Sequence, residues 1–244
     1  MLLNIGQLGF QSSVSKGFNP TNVSNLALDL DPSDISSIAE VANQASQIND
    51  KSGNGNHALQ GVGVRQFTTG TRDINGLNVL DCDGFNDYMA LTSPIGSANG
   101  YTVFVVNSPD SISTTPKAYL GGQTGSFTFR IDNTPLQTQV VRTNQAILLG
   151  GADTPVINTN YISSCRTSAL GSDIQINGVG VGSNAANPAY SNTLFIIGSS
   201  TSTTDHFNGK LGRILVYNRV LTDDEMNYVG NGLKNQWGVP WANI

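Results

Sequence analysis

The chain has 244 residues, enough for one large β sandwich or two small domains, and no linker-like stretch divides it. Only 12% of the residues are charged, the net charge is −5, and the 12 basic side chains are scattered singly, which excludes a nucleic-acid partner held by clustered Lys and Arg. No apolar run approaches the roughly 18 residues of a membrane span, and the opening MLLNIGQLGF lacks the basic and continuous apolar regions of a signal peptide, so synthesis in a reducing cytoplasm is expected.

Residues 1–25 carry one charged side chain, Lys16, and show neither a strand nor a helix period. Their six large apolar side chains, Leu2, Leu3, Ile5, Leu8, Phe10 and Phe18, would expose a surface that soluble monomers avoid. The stretch is therefore expected to be an N-terminal arm for attachment or oligomerisation, ahead of a domain spanning 26–244.

From Leu26 onward, short apolar runs recur between turn signals: LALDL, GLNVLDC, YTVFVVN, SFTFRI, TQVV, AILLG, DIQING, TLFIIG and GRILVYN. Gly, Asn, Asp or Pro bounds nearly every one, as in an all-β sandwich or barrel. Glycine and asparagine number 27 each, and 15 of the 17 acidic residues are aspartate, a composition suited to turns and caps. A repeat of fixed period is absent, which removes solenoids and propellers.

The segment DKSGNGNHALQ at 50–60 has three readings: a phosphate or metal cradle, a sugar-reading loop, or a tight turn. Gly53, Asn54, Gly55 and Asn56 tolerate positive φ better than other residues, which favours the turn, with His57 at a strand entry. Asp29 with Asp31, and Asp81 with Asp83, have the spacing that places each pair on one strand face; as strand-end aspartates they are expected to cap turns. Cys82 and Cys165 lack a CxxC or His companion and are expected to be buried free thiols.

Late loops NAANPAYSN and STSTTDHFNG carry Asn187, Tyr190, Asn192, Asp205 and Phe207, the aromatic and amide ingredients of a sugar site. His206 beside Asp205 is read as a turn residue, because strand neighbours point to opposite faces. One helix closes the chain in TDDEMNYVGNGLKNQWG. Thr222 with Glu225 forms a capping box; Met226, Val229, Leu233 and Trp237 form an apolar stripe; Gly238 and Pro240 supply the stop. Gly230 and Gly232 weaken its propensity, so packing must hold it, with Trp237 as anchor.

The stretches LDLDPSDISSI, INDKSGNGNHALQ, NGLNVLDCDGFNDYMAL, YTVFVVN and FNGKLGRILVYNRVLTDDEMNYVGNGLKNQWGV resemble, in order and spacing, the LamG-like jelly roll of the concanavalin A-like lectin and glucanase superfamily, in versions found in bacteriophage structural proteins. The resemblance covers roughly residues 26–239, with 108–205 matching only in strand rhythm. Ile48 stands where the family often has an aromatic residue and Cys82 where it has phenylalanine, both read as repacked core positions. The resemblance implies that the glycine–asparagine segment joins two strands; related folds sometimes bind calcium near such loops, where Asp50 would supply part of an oxygen shell.

Glucanases of that superfamily use a Glu-x-Asp-x-x-Glu run, which this chain lacks; its two glutamates, Glu40 and Glu225, lie at opposite ends. GxSxG, HExxH and Walker-type runs are also missing. The expected fold is an all-β, two-sheet antiparallel jelly-roll sandwich with one C-terminal α-helix and an extended N-terminal arm. The expected function is a non-enzymatic phage virion structural protein on the capsid or tail surface. A carbohydrate-binding adhesion module for host-surface recognition is the second reading and a cryptic hydrolase the third. No catalytic, cofactor-binding or metal residue is assigned, and no cofactor is expected. The expected partners are other virion proteins through the arm, further copies of the chain and a host-surface glycan, without nucleic acid or membrane; the expected location is the virion.

Overall fold

The computed structural model describes residues 17–97, 100–112, 115–122, 127–133, 136–142, 149–150, 153–185 and 193–244. Its strands begin with β1 (Leu26–Leu30), β2 (Ile38–Val41), β3 (Gln44–Ile48), β4 (Ala58–Leu59), β5 (Thr68–Ile74), β6 (Leu77–Asp83), β7 (Met89–Gly96), β8 (Tyr101–Pro109) and β9 (Lys117–Gly121). There follow β10 (Phe127–Asn133), β11 (Leu136–Arg142), β12 (Leu149–Gly150), β13 (Tyr161–Ser168), β14 (Gly171–Ile176), β15 (Val179–Asn184), β16 (Thr193–Ile197), β17 (Asn208–Tyr217) and the helix α1 (Asp223–Trp237).

These strands pair antiparallel into two layers, the jelly-roll sandwich expected from the sequence. In layer one, β17 lies between β8 on one side and, on the other, β6 along its first half and β1 along its second. β13, β14 and β15 extend this layer beyond β8, and β5 extends it beyond β6. Layer two runs β2, β3, β4, β7, β16, β9, β10, β11, β12. A single pairing, Gln44 with Thr68, stitches β3 to β5 and so joins the layers.

Strand alternation divides the buried side chains into two clusters. Tyr101, Val103 and Val105 of β8 face the interlayer core with Leu28, Phe129, Cys165 and Phe207. Phe104 and Val106 point the other way, into a second cluster with Met226, Val229, Leu233 and Trp237 of α1. β8 is buried along its whole length because both of its faces are covered. Cys82 and Cys165 are buried free thiols, and burial pushes both well above the usual thiol range.

The capping box on α1 is present, with the Thr222 hydroxyl accepting from Glu225 N–H and the Glu225 carboxylate accepting in return, and Gly238 ends the helix at φ 65°. Arg219 donates to both Glu225 oxygens at 2.7 and 2.8 Å, which pulls that carboxyl down to about 2. The two helix glycines have a packing reason: a Cβ at Gly230 would enter the Trp241 ring, and one at Gly232 the Phe18 ring. Phe18 also sits 5.9 Å from Tyr228 and 5.3 Å from the Arg213 guanidinium. The last residues of the expected arm thus lie against the helix; Leu2, Leu3, Ile5, Leu8 and Phe10 fall outside the described residues.

Asp29 does not cap a turn. It receives Arg213 through two hydrogen bonds of 2.8 and 2.7 Å in a buried pair, while Asp31 both accepts from Ser33 N–H and lies 3.5 Å from the same guanidinium. The period-2 spacing does put both carboxylates on one face, and the cation that collects them arrives 184 residues later, from β17.

Candidate functional site

The 50–60 segment is a turn stapled onto β1. Gly53 and Gly55 take φ of 90° and 73°, and the Asn54 and Asn56 amides donate to the Leu26 and Ala27 carbonyls at 2.8 and 2.9 Å. The Asp50 carboxylate accepts from Asp29 N–H, Ser52 N–H, the Ser52 hydroxyl and Asn56 N–H, all within 2.7 to 3.0 Å. His57 Nδ1 accepts the Asp50 N–H at 3.0 Å, just ahead of β4. A cation at Asp50 would have to displace these donors, so the carboxylate's use here is to close the turn.

The side chains best arranged to hold a ligand lie where the β6–β7 and β16–β17 connections meet on the outer side of layer two. In the first connection, Asp83 accepts from Phe85 and Asn86 N–H at 2.7 and 3.2 Å, an Asx turn that Gly84 allows at φ 75°. Asp87 then accepts from Asp83 N–H at 3.0 Å. With Met89 and Leu91 buried in the core, Tyr88 and Ala90 are left half-exposed on the opposite face of β7.

The second connection is held by its own hydroxyls. Ser199 donates to the Thr201 and Thr204 carbonyls, the Thr201 and Thr204 hydroxyls lie 2.8 Å apart, and Ser200 donates to Asp205 at 2.8 Å. His206 donates through Nδ1 to the Asp87 carbonyl at 3.1 Å and packs its ring 6.3 Å from Tyr88. Since a carbonyl only accepts, this bond places the proton on Nδ1. The half-exposed Phe195 ring sits in β16 where the pairing with β7 shifts, a local irregularity of the kind that re-aims side chains, and it packs in part against the interlayer core while also lining the surface.

The result is a cleft of about 340 Å³ lined by Tyr88, Ala90, Gly122, Phe195, Ile196, Thr201 and Ser202. Among the described residues nothing hydrogen-bonds the Tyr88 phenol or the Ser202 hydroxyl, so both groups can serve a ligand. Two aromatic rings with hydroxyls around them make a surface for stacking and hydrogen bonding. Two larger grooves are less suited to that use. One, about 810 Å³ along α1, has its Phe18 ring packed on Gly232 and its Tyr228 hydroxyl engaged by Asn19 and Asn22; the other, about 650 Å³ around Leu170 and Val220, has no aromatic wall among the described residues.

Burial pushes the Asp87 carboxyl up to about 7, against the opposing Asp83 N–H, and the charges of Asp83 and Asp81 add to the rise. Burial pulls the Lys117 ammonium below the usual lysine range, with Asp205 acting the other way. Arg130 bonds Asp132 at 2.5 Å and lies 3.7 Å from Asp205.

The loop STSTTDHFNG singled out in the sequence does line this cleft, through Thr201 and Ser202 rather than through the residues named there. Phe207 is a core residue with 0% exposure, stacked 5.1 Å from Tyr119. Asp205 is tied to Ser200 and Arg130. His206, read as a turn residue, is buried against Tyr88 in a bridge to Ala118. Asn187, Tyr190 and Asn192 lie outside the described residues. Tyr88 went unnoticed although Met89 and Leu91 already placed it on the outer face by alternation; Phe195 was hidden inside an unbroken apolar run.

The Laminin_G_3 family model, described as the concanavalin A-like lectin/glucanases superfamily, matches residues 83–227. Among solved structures, the fold is similar to domain 4 of AbnA, a GH43 extracellular arabinanase from Geobacillus stearothermophilus in complex with arabinotriose, at TM-score 0.63 and 14% identity over 84% of this chain and 98% of that one. It is similar to Trypanosoma rangeli sialidase in complex with sialic acid, at TM-score 0.60 and 12% identity over 88% of this chain and 33% of that one. An arabinofuranosidase complexed with arabinofuranosyl-alpha-1,2-xylobiose matches at TM-score 0.59 and 15% identity over 78% of this chain and 50% of that one. This chain therefore spans a third of the sialidase and half of the arabinofuranosidase. No curated protein matches the sequence.

Proposed function

We propose, from the premise that this chain belongs to the concanavalin A-like lectin/glucanases superfamily, that it is a carbohydrate-binding module whose ligand site is the Tyr88–Phe195 cleft. The observation that carries the reading is the pairing of two half-exposed rings with the unengaged hydroxyls of Tyr88 and Ser202, since a sugar ring offers apolar C–H faces to stack and a rim of hydroxyls to bond. The arabinanase domain, the sialidase and the arabinofuranosidase of similar fold are all in complex with saccharides, which supports the reading at the level of the fold.

The module is read as non-catalytic. Glycoside hydrolysis needs two carboxyl groups across the scissile bond, and none of the cleft's lining residues is an acid. Glu225 is committed to the helix cap and Arg219, and Glu40 accepts from Asn43 N–H at 2.6 Å in the β2–β3 turn. Incubation with arabinan, β-glucans and bacterial surface polysaccharides should release no reducing sugar; cleavage abolished by an aspartate-to-asparagine substitution would overturn this part.

Display on a phage particle has the sequence resemblance as its support, and neither the fold nor the cleft adds to it. The attachment role of the arm remains a proposal, tested by deleting residues 1–16, which should leave the sandwich folded and abolish assembly. The carbohydrate reading itself is tested by screening the full chain on a glycan array: retention of saccharides that Tyr88→Ala abolishes is expected, and a blank array would sink it.

A further inference from the structure

If the carbohydrate reading holds, the wall of the cleft also restricts the class of sugar. Its polar groups are the Tyr88 phenol, the Thr201 and Ser202 hydroxyls and the Gly122 backbone; the remainder is the Phe195 ring with the aliphatic side chains of Ala90 and Ile196. Among the described residues, no ammonium, guanidinium or carboxylate lines it. A carboxylate or sulfate is bound well by a charged, multiply donating partner, and removing such an anion from water without one is costly. Neutral hydroxyls exchange water for protein partners at little net cost.

The cations nearby are Arg130, Lys117 and Arg65, and none of them lines the cleft. Arg130 is shared between Asp132 at 2.5 Å and Asp205 at 3.7 Å, and the buried Lys117 has Asp205 as its attracting charge. Asp205 is also the acceptor of the Ser200 hydroxyl, one residue before Thr201. On the other wall, Asp83 and Asp87 flank the turn that presents Tyr88. The exposed Arg65, whose carbonyl accepts from Tyr88 N–H at 3.2 Å, lies outside the lining. An anionic sugar would thus meet carboxyl groups on both sides and, among the described residues, no cation in the wall.

We propose that the Tyr88–Phe195 cleft takes an uncharged saccharide, which lays an apolar ring face on the aromatic side chains and has its hydroxyls read by Tyr88, Thr201 and Ser202, and that it discriminates against sugars carrying carboxylate or sulfate. The volume of about 340 Å³ is near the lower end of the roughly 300–1,000 Å³ typical of small-molecule sites, which suits a short terminal unit.

The test is a glycan array of matched neutral and acidic members, such as lactose with sialyllactose and arabinotriose with uronate-bearing oligosaccharides, followed by calorimetric titration of the full chain with whatever binds. The neutral member of a pair should bind about tenfold or more tightly than its acidic partner, with the gap narrowing at high salt. Tyr88→Ala and Phe195→Ala should each weaken the neutral ligand about tenfold, and Tyr88→Phe, which keeps the ring, only a few-fold, with unchanged circular dichroism. Equal or tighter binding of acidic members overturns the selectivity and leaves the carbohydrate reading standing. Binding by neither class overturns both. Neutral binding that survives Tyr88→Ala and Phe195→Ala together places the ligand elsewhere and overturns the proposal for this cleft.

Discussion

Outside layer one, Phe104, Val106, Leu215 and Tyr217 meet Trp237 and its helix neighbours and are sealed from water; at the layer-two cleft, Tyr88 and Phe195 stay half-exposed beside the Tyr88 and Ser202 hydroxyls, which have no hydrogen-bond partner among the described residues. Both faces come from the same strand alternation, so the difference lies in what the chain supplies to cover them. The covered face is finished by one amphipathic helix whose glycines admit Phe18 and Trp241. The open face is finished by turns that hold their shape through Asx and hydroxyl hydrogen bonds and leave the Tyr88 phenol without a hydrogen-bond partner among the described residues. Stability should therefore reside mainly on the first face and ligand binding on the second.

The largest expected effect is on the sealed face. Trp237→Ala should cost about 3–5 kcal/mol through lost aromatic burial and a residual cavity, read as a drop in the urea midpoint, while saccharide affinity at the cleft stays within twofold. An unchanged midpoint would mean that α1 contributes little to the sandwich.

Next comes the turn that ties the 50–60 segment to β1. Asp50→Ala strands the buried Asp29 N–H and opens three further bonds, an expected loss of about 2–3 kcal/mol. Chelator should leave the melting temperature of the parent protein where it was. A fall with EDTA that calcium restores would give Asp50 a metal role instead.

On the open face the balance should reverse. Tyr88→Ala should change stability by about 1 kcal/mol or less, in keeping with a half-exposed residue, yet remove most saccharide binding. A large fall in midpoint would show that Tyr88 holds the loops through His206 rather than serving a ligand.

The open face also carries a pH dependence, set by Asp87. Its carboxyl titrates near 7 when folded, against 3.8 for the ordinary side chain, so between those values the folded state binds more protons than the unfolded one. Stability from this group is complete below about pH 4 and declines as pH rises toward 7. Asp87→Asn keeps an acceptor for the Asp83 N–H and removes the charge, so its melting temperature should fall less between pH 5 and pH 8 than that of the parent. Parallel curves would dismiss the perturbation.

Local sequence was sufficient where the determining contacts lie within a few residues. The capping box, the apolar stripe of α1 and the glycine–asparagine turn all depend on neighbours three or four positions away or on φ preference, and each was readable. Apolar strands such as β8 and β17 were equally plain. β13 was not, because Tyr161–Ser168 reads as polar; in the fold its Ser163 hydroxyl meets the Asn107 amide at 2.9 Å and Ser164 meets Gln175 at 3.1 Å, so burial is satisfied by partners 56 and 11 residues distant. The same limit applies to the cleft. Alternation could place Tyr88 on the outer face of β7, but not bring Phe195, Thr201 and Ser202 beside it, nor turn Phe207 into the core.

The sequence by itself determined an all-β sandwich closed by one capped helix, because period, turn chemistry and caps are properties of short segments. Only the tertiary structure decided that Asp29 and Asp31 would meet Arg213, that the helix glycines would receive aromatic rings, and that two rings and two free hydroxyls would share one cleft. Those juxtapositions come from strand order, and strand order is set by the joint burial of the two layers rather than by any single stretch of chain.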